Sequence, residues 1–373
     1  MSSSLKRNLG QSLIIGLKGP ALEADEADFI VDNNIGGVIL FDRNVESPIQ
    51  LRGLCSELQK LSQKMPDRVP LFISIDMEGG RVARLKEPFT QWPAAKKLGI
   101  LDSTSAAFKM ANYMGQELAA VGINMNFSPC VDLLTNSENK AIGDRSLGTD
   151  PEAVSKLASA LVRGFVKANI IACAKHFPGH GNTSIDSHDD LPVEDTTLEQ
   201  LETREMIPFK KTFRARLDFV MTAHIKFPKV DPTWPASLSS VFINDILKEK
   251  GRFRNLVITD DLDMKALIKH YDRAQIAVRA YQAGSNVLLY CNDPESPKIA
   301  MDALIAAAGA KSIDALTISN NHKKIIEVKK DKIKNFNLPA FSKIEKLIGN
   351  PIHKEVALAI EEGRVPSADE LDA

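Results

Sequence analysis

The chain has 373 residues, 44% of them hydrophobic and 25% charged, and its formal net charge is -1. This length and apolar content suit one large domain with additions, and a balanced charge without a basic stripe argues against nucleic-acid binding. No stretch approaches the roughly 18 apolar residues of a membrane span, and the N-terminal apolar run is too short for a signal peptide. The four scattered cysteines lack CxxC spacing. Together these features predict a cytoplasmic protein with reduced thiols and no membrane insertion.

Eight short apolar runs rich in strand-forming residues divide the chain. They are SLIIGLKG from Ser12, GGVILF from Gly36, PLFISID from Pro70, INMNFSPC from Ile123, IIACAKHF from Ile170, FVMTAHI from Phe219, NLVITDD from Asn255 and NVLLYC from Asn286. Most are almost continuously hydrophobic rather than alternating, which is typical of strands buried on both faces of a parallel sheet.

Segments with helical periodicity alternate with these strands. The clearest begin near Pro48, Ser103 and Pro151, and Ser103 and Asp150 occupy N-cap positions. Eight strand–helix alternations with short connections predict an α/β fold, a closed (β/α)8 barrel of the TIM type. The alternative is an open doubly wound sheet, which usually carries a glycine-rich phosphate loop after its first strand. The segment LKGPAL has a single glycine there, so the barrel is favoured.

The predicted barrel ends near Ala310, which divides the chain into a catalytic barrel over residues 1–312 and a short helical extension over residues 313–373. Three helices and one proline-containing connection are predicted in the extension. The helices lie around Asn321–Lys332, Ser342–Leu347 and His353–Glu362, and the connection is at Leu338-Pro339. The final GRVPSADELDA is polar and lacks periodicity, so we predict that it is disordered.

Ionisable side chains stand where four of the predicted strands end, which is where barrels of this type carry their active sites. They are Asp76, Lys175, His176, His224, Asp260 and Asp261. One such residue alone could be a solvated strand end, but ionisable ends on four strands together indicate a functional site. Four of the seven histidines, at positions 176, 180, 188 and 224, fall within 49 residues, which supports this interpretation.

Two carboxylate motifs suggest acid–base and nucleophilic chemistry. Residues i and i+2 of an extended segment project to the same side, so Asp186 is expected to bond one ring nitrogen of His188 and leave the other for a substrate. The glycines of PGHGNTS, just before this pair, favour a mobile loop. Asp260 is expected to point into the barrel mouth, where a carboxylate suits attack on an anomeric carbon, whereas Asp261 suits a helix cap.

The motifs KHFPGHG, DSH and TDDLDM, in this order, resemble the bacterial β-N-acetylglucosaminidases of glycoside hydrolase family 3. Further matching segments are IDMEGGRVARL, NMNFSPCVDL, IGDRSLGTD and VMTAHIKFP with PASLS, so the resemblance covers roughly residues 10–310. It implies that Asp260 is the nucleophile, that His188 is the acid–base group and that Asp186 is the partner of His188. The sugar contacts that it implies are Asp76, Arg84, Arg145, Lys175 and His176.

The resemblance also implies a reaction and a substrate. Enzymes of this branch remove terminal N-acetylglucosamine from anhydro-muramoyl peptides in the cytoplasm during cell-wall recycling, with retention of configuration and without metal or organic cofactor. Transfer to phosphate stays open, because a neutral imidazole repels an anionic acceptor less than a carboxylate does. The segment KEKGRFRNLV departs from the family pattern before the seventh strand, and the residues after Ala310 match no part of it.

Two other functions fit parts of the same pattern. A metal-dependent barrel hydrolase could use as ligands His176, His180, His188, His224 and Asp260. Against it, the first strand offers no HxH pair, and Lys175 would repel a divalent cation. A non-catalytic muropeptide-binding protein could use the same scaffold, but it would not need a nucleophile. We therefore predict a hydrolase with a small carbohydrate or muropeptide substrate, no metal, no nucleic-acid partner and a monomeric state.

Overall fold

The computed structural model describes residues 3–333 and 341–366, and eight parallel strands form a closed barrel at its centre. The strands are β1 (Leu13–Gly16), β2 (Gly37–Leu40), β3 (Phe72–Ile75), β4 (Met125–Asn126), β5 (Ile171–Phe177), β6 (Phe219–Thr222), β7 (Leu256–Asp261) and β8 (Val287–Tyr290). Each strand pairs with its neighbour in the sequence, and β1 pairs with β8 to close the barrel, with Leu13 opposite Leu288. The predicted (β/α)8 barrel is confirmed, and the open sheet is wrong.

Helices surround the barrel and follow its strands. They are α1 (Ser3–Gly10), α2 (Ala24–Asp32), α3 (Pro48–Ser62), α4 (Ala95–Leu101), α5 (Thr104–Val121), α6 (Pro151–Lys167), α7 (Leu198–Thr203), α8 (Met206–Phe213), α9 (Lys265–Ile268), α10 (Arg273–Gln282), α11 (Ser296–Gly309), α12 (Ala315–Lys332), α13 (Phe341–Ile344) and α14 (Pro351–Glu361). A π-helix covers Val241–Lys250, three 3₁₀ turns cover Asp42–Asn44, Gly143–Arg145 and Ala236–Leu238, and a small hairpin pairs Met77–Gly79 with Val82–Ala83.

The predicted N-caps are present. The Ser103 hydroxyl accepts a hydrogen bond from the Ala106 amide at 3.2 Å, and the Asp150 carboxylate accepts one from the Ala153 amide at 2.7 Å. Each cap satisfies a backbone donor that the first turn of the helix leaves free. Within the described residues, no helix is both long enough and apolar enough to cross a bilayer.

Apolar side chains of the strands form two cores, because the strands are buried on both faces. One core lies between the barrel and its helices, and the other fills the barrel. In the inner core the Phe72 and Phe219 rings meet edge to face, with centroids 5.4 Å apart. All four cysteines are buried and unpaired, as predicted for reduced thiols.

Helix α12 closes the N-terminal end of the barrel. It starts at Ala315, six residues before the predicted start, because the Asp314 carboxylate accepts a hydrogen bond from the Thr317 amide at 3.0 Å. The Lys329 ammonium is buried beneath the barrel and donates to the Gln11 side chain at 2.7 Å and the Gly36 carbonyl at 2.6 Å. Helix α12 therefore packs against the N-terminal end of the barrel, the barrel floor, although the sequence placed it in the extension. The predicted boundary after residue 312 stays a prediction.

The last two helices lie near the predicted positions. Helix α13 is shorter than the segment predicted from Ser342, and α14 agrees to within two residues at its start. Helix α14 docks on α5, where His353 bonds the buried Glu117 carboxylate at 2.8 Å and stacks on the Tyr113 ring. The predicted connection at Leu338-Pro339 and residues 367–373 of the predicted disordered tail lie outside the described residues.

Candidate active site

Two register shifts occur where β5 and β7 carry their ionisable residues. Along β7, Ile258 pairs with Val287 of β8 and Asp261 pairs with Leu289. Three residue steps on β7 therefore face two residue steps on β8. Along β5, Ala174 pairs with Val220 of β6 and Phe177 pairs with Thr222, so three residue steps on β5 again face two on the neighbouring strand. A bulge of this kind redirects the side chains around it. The shifts therefore lie at Asp260 and at the Lys175-His176 pair, which the sequence singled out.

Asp260 and Asp261 have opposite environments although they are adjacent. One Asp260 oxygen accepts the Asp261 amide at 2.8 Å. Burial would raise the pKa of Asp260, but the nearby histidines 176, 224 and 188 lower it below its usual value. The Asp261 carboxylate accepts the amides of Asp263 and Cys291, each at 3.1 Å. Burial raises the pKa of Asp261 to about 7. Asp260 is thus held as a carboxylate at neutral pH, whereas Asp261 titrates close to neutral pH.

The predicted contact between Asp186 and His188 is present, but the segment is not extended. Asp186 Oδ1 lies 2.8 Å from His188 Nδ1 and also accepts the His188 amide at 2.9 Å. The Asp186 carbonyl accepts the amides of Asp189 and Asp190, which closes a turn. The extended geometry predicted for these residues is wrong, because an aspartate that bonds the backbone two residues ahead favours a turn. The His188 side chain is 72% exposed, and its Nε2 faces outward from Asp186.

The loop that carries His188 is anchored to α9, which follows β7. The Ala266 amide donates to the Ser187 carbonyl at 3.2 Å. The Asp190 carboxylate lies 2.7 Å from His270 Nε2 and 3.2 Å from the Lys269 ammonium. The two candidate catalytic segments, around Asp260 and around His188, are therefore physically connected through α9.

The first half of this loop is packed rather than free. A side chain at Gly181 would place its Cβ 1.8 Å from the Leu133 carbonyl oxygen, so this glycine permits close approach of two backbones. His180 is buried, with Nδ1 2.9 Å from the Thr183 hydroxyl and Nε2 3.0 Å from the Ser187 hydroxyl. The glycines do not by themselves make this part mobile, and the His180 ring holds the loop together.

A buried ionic network joins four site residues on three segments. Glu78 accepts two hydrogen bonds from the Arg145 guanidinium, at 2.8 and 3.0 Å, and lies 2.7 Å from the Lys175 ammonium. Lys175 also donates to Asp76 at 2.6 Å. Burial alone would raise the pKa of Glu78, but Arg145 and Lys175 lower it well below its usual range. Arg84 reaches the same cluster, with Nη2 3.9 Å from Asp76.

A second buried carboxylate, Asp132, positions the His176 ring. Asp132 Oδ2 lies 2.7 Å from His176 Nδ1, and Asp132 also accepts the backbone amides of His176 and His180. Burial would raise the pKa of Asp132, but the charge and hydrogen bonds of His176 lower it to about 2. His176 Nε2 is consequently directed to the opposite side, where it lies 3.5 Å from the Arg145 guanidinium.

This arrangement of side chains can be compared with that of known proteins. The glycosyl hydrolase family 3 N-terminal domain matches residues 4–328 of the chain, so the expectation that the residues after Ala310 match no part of the family is wrong. The chain belongs to glycoside hydrolase family 3. It is 36% identical over 301 residues to a β-hexosaminidase of Hydrogenovibrio crunogenus, an alignment that covers 78% of this chain and 82% of that one.

Solved family 3 structures share the fold. The β-N-acetylglucosaminidase from Paenibacillus sp. str. FPU-7 superposes with a TM-score of 0.91 at 36% identity, over 96% of this chain and 68% of that one. NagZ from Neisseria gonorrhoeae, solved with N-trifluoroacetyl-D-glucosamine, has a TM-score of 0.76 at 29% identity, over 94% of this chain and 97% of that one. The prediction of a family 3 glycoside hydrolase of the β-hexosaminidase type is confirmed.

All eight predicted site residues of this family 3 enzyme lie at the C-terminal end of the barrel or in the loops above it. Their network links Asp76, Arg84, Arg145, Lys175 and His176, and the loop pair Asp186–His188 is connected to the Asp260 strand through α9. Sequence reasoning missed two buried carboxylates, Glu78 and Asp132. Each follows a strand by a few residues, and the strand-end rule applied beyond the first residue would have found both.

The histidines that the metal hypothesis required have other partners. His224 Nδ1 lies 2.7 Å from the Ser237 hydroxyl and Nε2 lies 2.9 Å from the Asp261 carbonyl, so both ring nitrogens are used within the protein. The same holds for His180. Among the described residues, one group of three potential metal ligands has its ligand atoms within 4.8 Å of one another: Cys130, Asp132 and His176. Of these three residues, the metal hypothesis named only His176.

Proposed function

We propose that this family 3 enzyme is a retaining exo-β-N-acetylglucosaminidase that releases terminal N-acetylglucosamine from muropeptides. The observation that carries the proposal is the state of Asp260, a partly buried carboxylate near the C-terminal end of β7 whose pKa is lowered by the surrounding histidines although desolvation opposes this. A carboxylate that stays ionised there is available to attack an anomeric carbon. Its position beside the anchored His188 loop supports a two-residue mechanism.

In the proposed reaction Asp260 attacks C1 while His188 protonates the departing oxygen. The bond between C1 and the leaving oxygen breaks, and a covalent glycosyl-enzyme forms on Asp260. His188 then takes a proton from water, which attacks C1 and releases Asp260 with net retention. Asp186 supports both steps, because its bond to Nδ1 fixes the tautomer and leaves Nε2 for proton transfer. This assigns Asp186 a positioning role.

The ionic network is proposed to bind the sugar. Asp76 is partly exposed and fixed by Lys175, so its second oxygen can accept a sugar hydroxyl. Arg84 and His176 Nε2 present further hydrogen-bonding groups beside it. Buried ion pairs keep these groups in place before substrate arrives, which reduces the entropy lost on binding. Resemblance to cell-wall-recycling enzymes favours an anhydro-muramoyl peptide as aglycone. Buried, unpaired cysteines fit the proposed cytoplasmic location.

The test uses p-nitrophenyl N-acetyl-β-glucosaminide and the Asp260→Asn variant. We expect turnover by the wild type and its loss in the variant, because the amide removes the nucleophile with little change in volume. Asp195→Asn, at an exposed aspartate paired with Lys229, is the matched control and should keep full activity. A variant that retains more than about a tenth of kcat, less than ~1.4 kcal/mol of barrier, would place the nucleophile elsewhere.

Two further measurements separate the finer parts of the proposal. The first anomer released, observed by NMR before mutarotation, should have the β configuration, and an α product would contradict retention. The kcat/KM for an N-acetylglucosaminyl-anhydro-muramoyl peptide should exceed that for chitobiose. Equal values for the two substrates would contradict the muropeptide assignment and leave the glycosidase mechanism intact.

A further inference from the structure

A cavity of about 640 Å³ lies at the opposite end of the barrel from the candidate active site. Gly284, Ser285 and Asn286 line it and directly precede β8, so it opens near the N-terminal ends of the strands. One wall comes from the π-helix that ends in the segment KEKGRFR, and another comes from α12.

The side chains around this cavity carry an excess of positive charge. Lys248, Arg279 and Lys324 line it together with one carboxylate, Asp314, so the lining carries three positive charges and one negative charge, +2 in total. The Asp314 carboxylate already accepts the Thr317 amide at 3.0 Å. Buried or half-buried cations normally have a carboxylate partner, so this imbalance calls for an explanation.

The two lysines have only carbonyl or amide acceptors among the described residues. The Lys248 ammonium donates to the Gly284 carbonyl, and the Lys324 ammonium donates to the Asn255 carbonyl at 2.7 Å. No carboxylate in the described part of the chain lies within 4.0 Å of either ammonium. An ammonium has three donors, so both lysines retain capacity for a ligand that enters the cavity.

The electrostatic state of the lysines agrees with the geometry. Burial lowers the pKa of Lys248 to about 8, and the charge of Lys324 lowers it as well. Burial likewise lowers the pKa of Lys324 to about 8, with a contribution from Arg254. These cations repel one another and are incompletely solvated, so a bound anion would stabilise both charges.

An unsatisfied hydroxyl lies in the same wall. Ser285 lines the cavity, is 3% exposed, and its Oγ has no hydrogen-bond partner. Native proteins pair nearly all buried polar atoms, so an unpaired hydroxyl beside two lysines is a second, independent sign of a missing ligand. Thr317 and Asn320 add neutral donors on the facing helix.

We propose that this cavity binds a phosphate dianion, either free or carried by a small metabolite, between Lys248 and Lys324. Two negative charges match the excess charge of the lining, and a tetrahedral anion can accept from ammonium, hydroxyl and amide donors at once. The cavity is larger than a phosphate ion and lies within the size range of small-molecule sites, so it leaves room for an attached sugar-sized group. The ligand would connect α12 to the barrel floor. This inference does not depend on the proposed glycosidase mechanism.

Isothermal titration calorimetry on the full chain tests the proposal with two probes, inorganic phosphate and glucose 6-phosphate. We expect saturable binding of at least one probe with a Kd below about 1 mM. Tighter binding of glucose 6-phosphate assigns the site to a phosphorylated metabolite, and equal binding assigns it to phosphate itself. Lys248→Met and Lys324→Met should each weaken binding at least about tenfold, because they remove a charge and keep the aliphatic stem.

Two controls locate the binding. Lys323→Met changes the neighbouring, exposed lysine of α12 that does not line the cavity, and it should leave the Kd unchanged. Arg84→Met removes a cation of the candidate active site and should also leave the Kd unchanged. Ser285→Ala provides a variant without charge change and should weaken binding without lowering stability. Absence of binding at about 10 mM of either probe, binding insensitive to both lysine variants, or binding lost in Arg84→Met would overturn the proposal.

Discussion

The Glu78→Gln substitution probes the buried network beneath the proposed sugar site. Glu78 is 4% exposed and is the shared partner of Arg145 and Lys175. Glutamine keeps the shape but removes the negative charge, and its NH2 group must face one of the two cations. Breaking a buried ion pair by removing one partner costs about 3–5 kcal/mol, because a buried charge is left uncompensated. We expect a loss of this size in the free energy of unfolding.

Urea unfolding measures this loss directly, and a thermal melt should show a decrease in Tm of about 2 °C for each kcal/mol. Glu327→Gln is the matched control. Glu327 forms an exposed pair with Lys323 on α12, with an N–O distance of 3.9 Å, so its loss should cost less than about 0.5 kcal/mol. Because Lys175 and Arg145 lose a fixed partner, KM should also rise in Glu78→Gln and stay unchanged in the control.

The pH dependence gives a second measure of the same interaction. The pKa of Glu78 is lowered in the folded state, so its contribution to stability is present above its usual value of 4.5 and is lost as pH falls below it. The difference in stability between wild type and Glu78→Gln should therefore shrink as the solution is acidified from pH 6 towards pH 3. A destabilisation below about 1 kcal/mol at pH 7 would refute the reasoning, since it would mean that the network does not hold an obligatory charge.

Two further predictions concern buried groups away from this network. The pKa of Lys329 is lowered by burial to about 7, so the folded state binds fewer protons than the unfolded state between about pH 7 and 10.5 and stability rises with pH there. Lys329→Met should remove up to about 1.4 kcal/mol per pH unit of this rise. An equal dependence of the free energy of unfolding on pH in both proteins, measured by urea unfolding, would contradict this prediction. Dialysis against EDTA should leave glycosidase activity unchanged, because His180 and His224 use both ring nitrogens within the protein. Activity lost with EDTA and restored by zinc would favour the metal-dependent alternative.

The barrel was predictable because its signals are local. A strand buried on both faces is hydrophobic along its whole length, so each run from Ser12 to Cys291 was recognisable without knowledge of its partners. The shortest strand, β4, shows the limit of this approach. Its run INMNFSPC covers eight residues, in which Ile123, Met125 and Phe127 alternate with polar residues, but only Met125–Asn126 pair as a strand. The Asn126 side chain then bonds the backbone of Met77, an interaction that hydrophobicity does not encode.

The candidate site was less predictable where its contacts are distant in sequence. Strand ends alone pointed to Asp260 and Lys175, but the partner of Arg145 is Glu78, 67 residues away, and only the folded barrel brings them together. The contact between Asp186 and His188 was predicted from an extended segment and is formed by a turn, so a correct contact followed from incorrect local geometry. The side chain of Asp186 bonds both the ring and the backbone of His188, and this second bond decides the turn.

The role of His188 can be separated from that of Asp260 through the leaving group. A sugar alkoxide needs a proton as it departs, whereas a nitrophenolate largely does not. His188→Ala should therefore impair cleavage of a natural disaccharide much more than the first step with an activated phenyl glycoside. The second step still requires a base, so the glycosyl-enzyme on Asp260 should accumulate and produce a burst of phenol in stopped-flow measurements. Asp186→Ala should show a weaker form of this behaviour, because the ring at position 188 remains but loses its fixed orientation.

Rescue by a small nucleophile completes the argument for His188. Azide needs no deprotonation, so it should restore turnover of the activated substrate by His188→Ala and yield a β-glycosyl azide, whose configuration reports a double displacement. The same azide should have little effect on the wild type, where water is already activated, and none on Asp260→Asn, where no intermediate forms. If His188→Ala impairs good and poor leaving groups equally, with neither a burst nor rescue by azide, then His188 binds the sugar and the proton is transferred by another group.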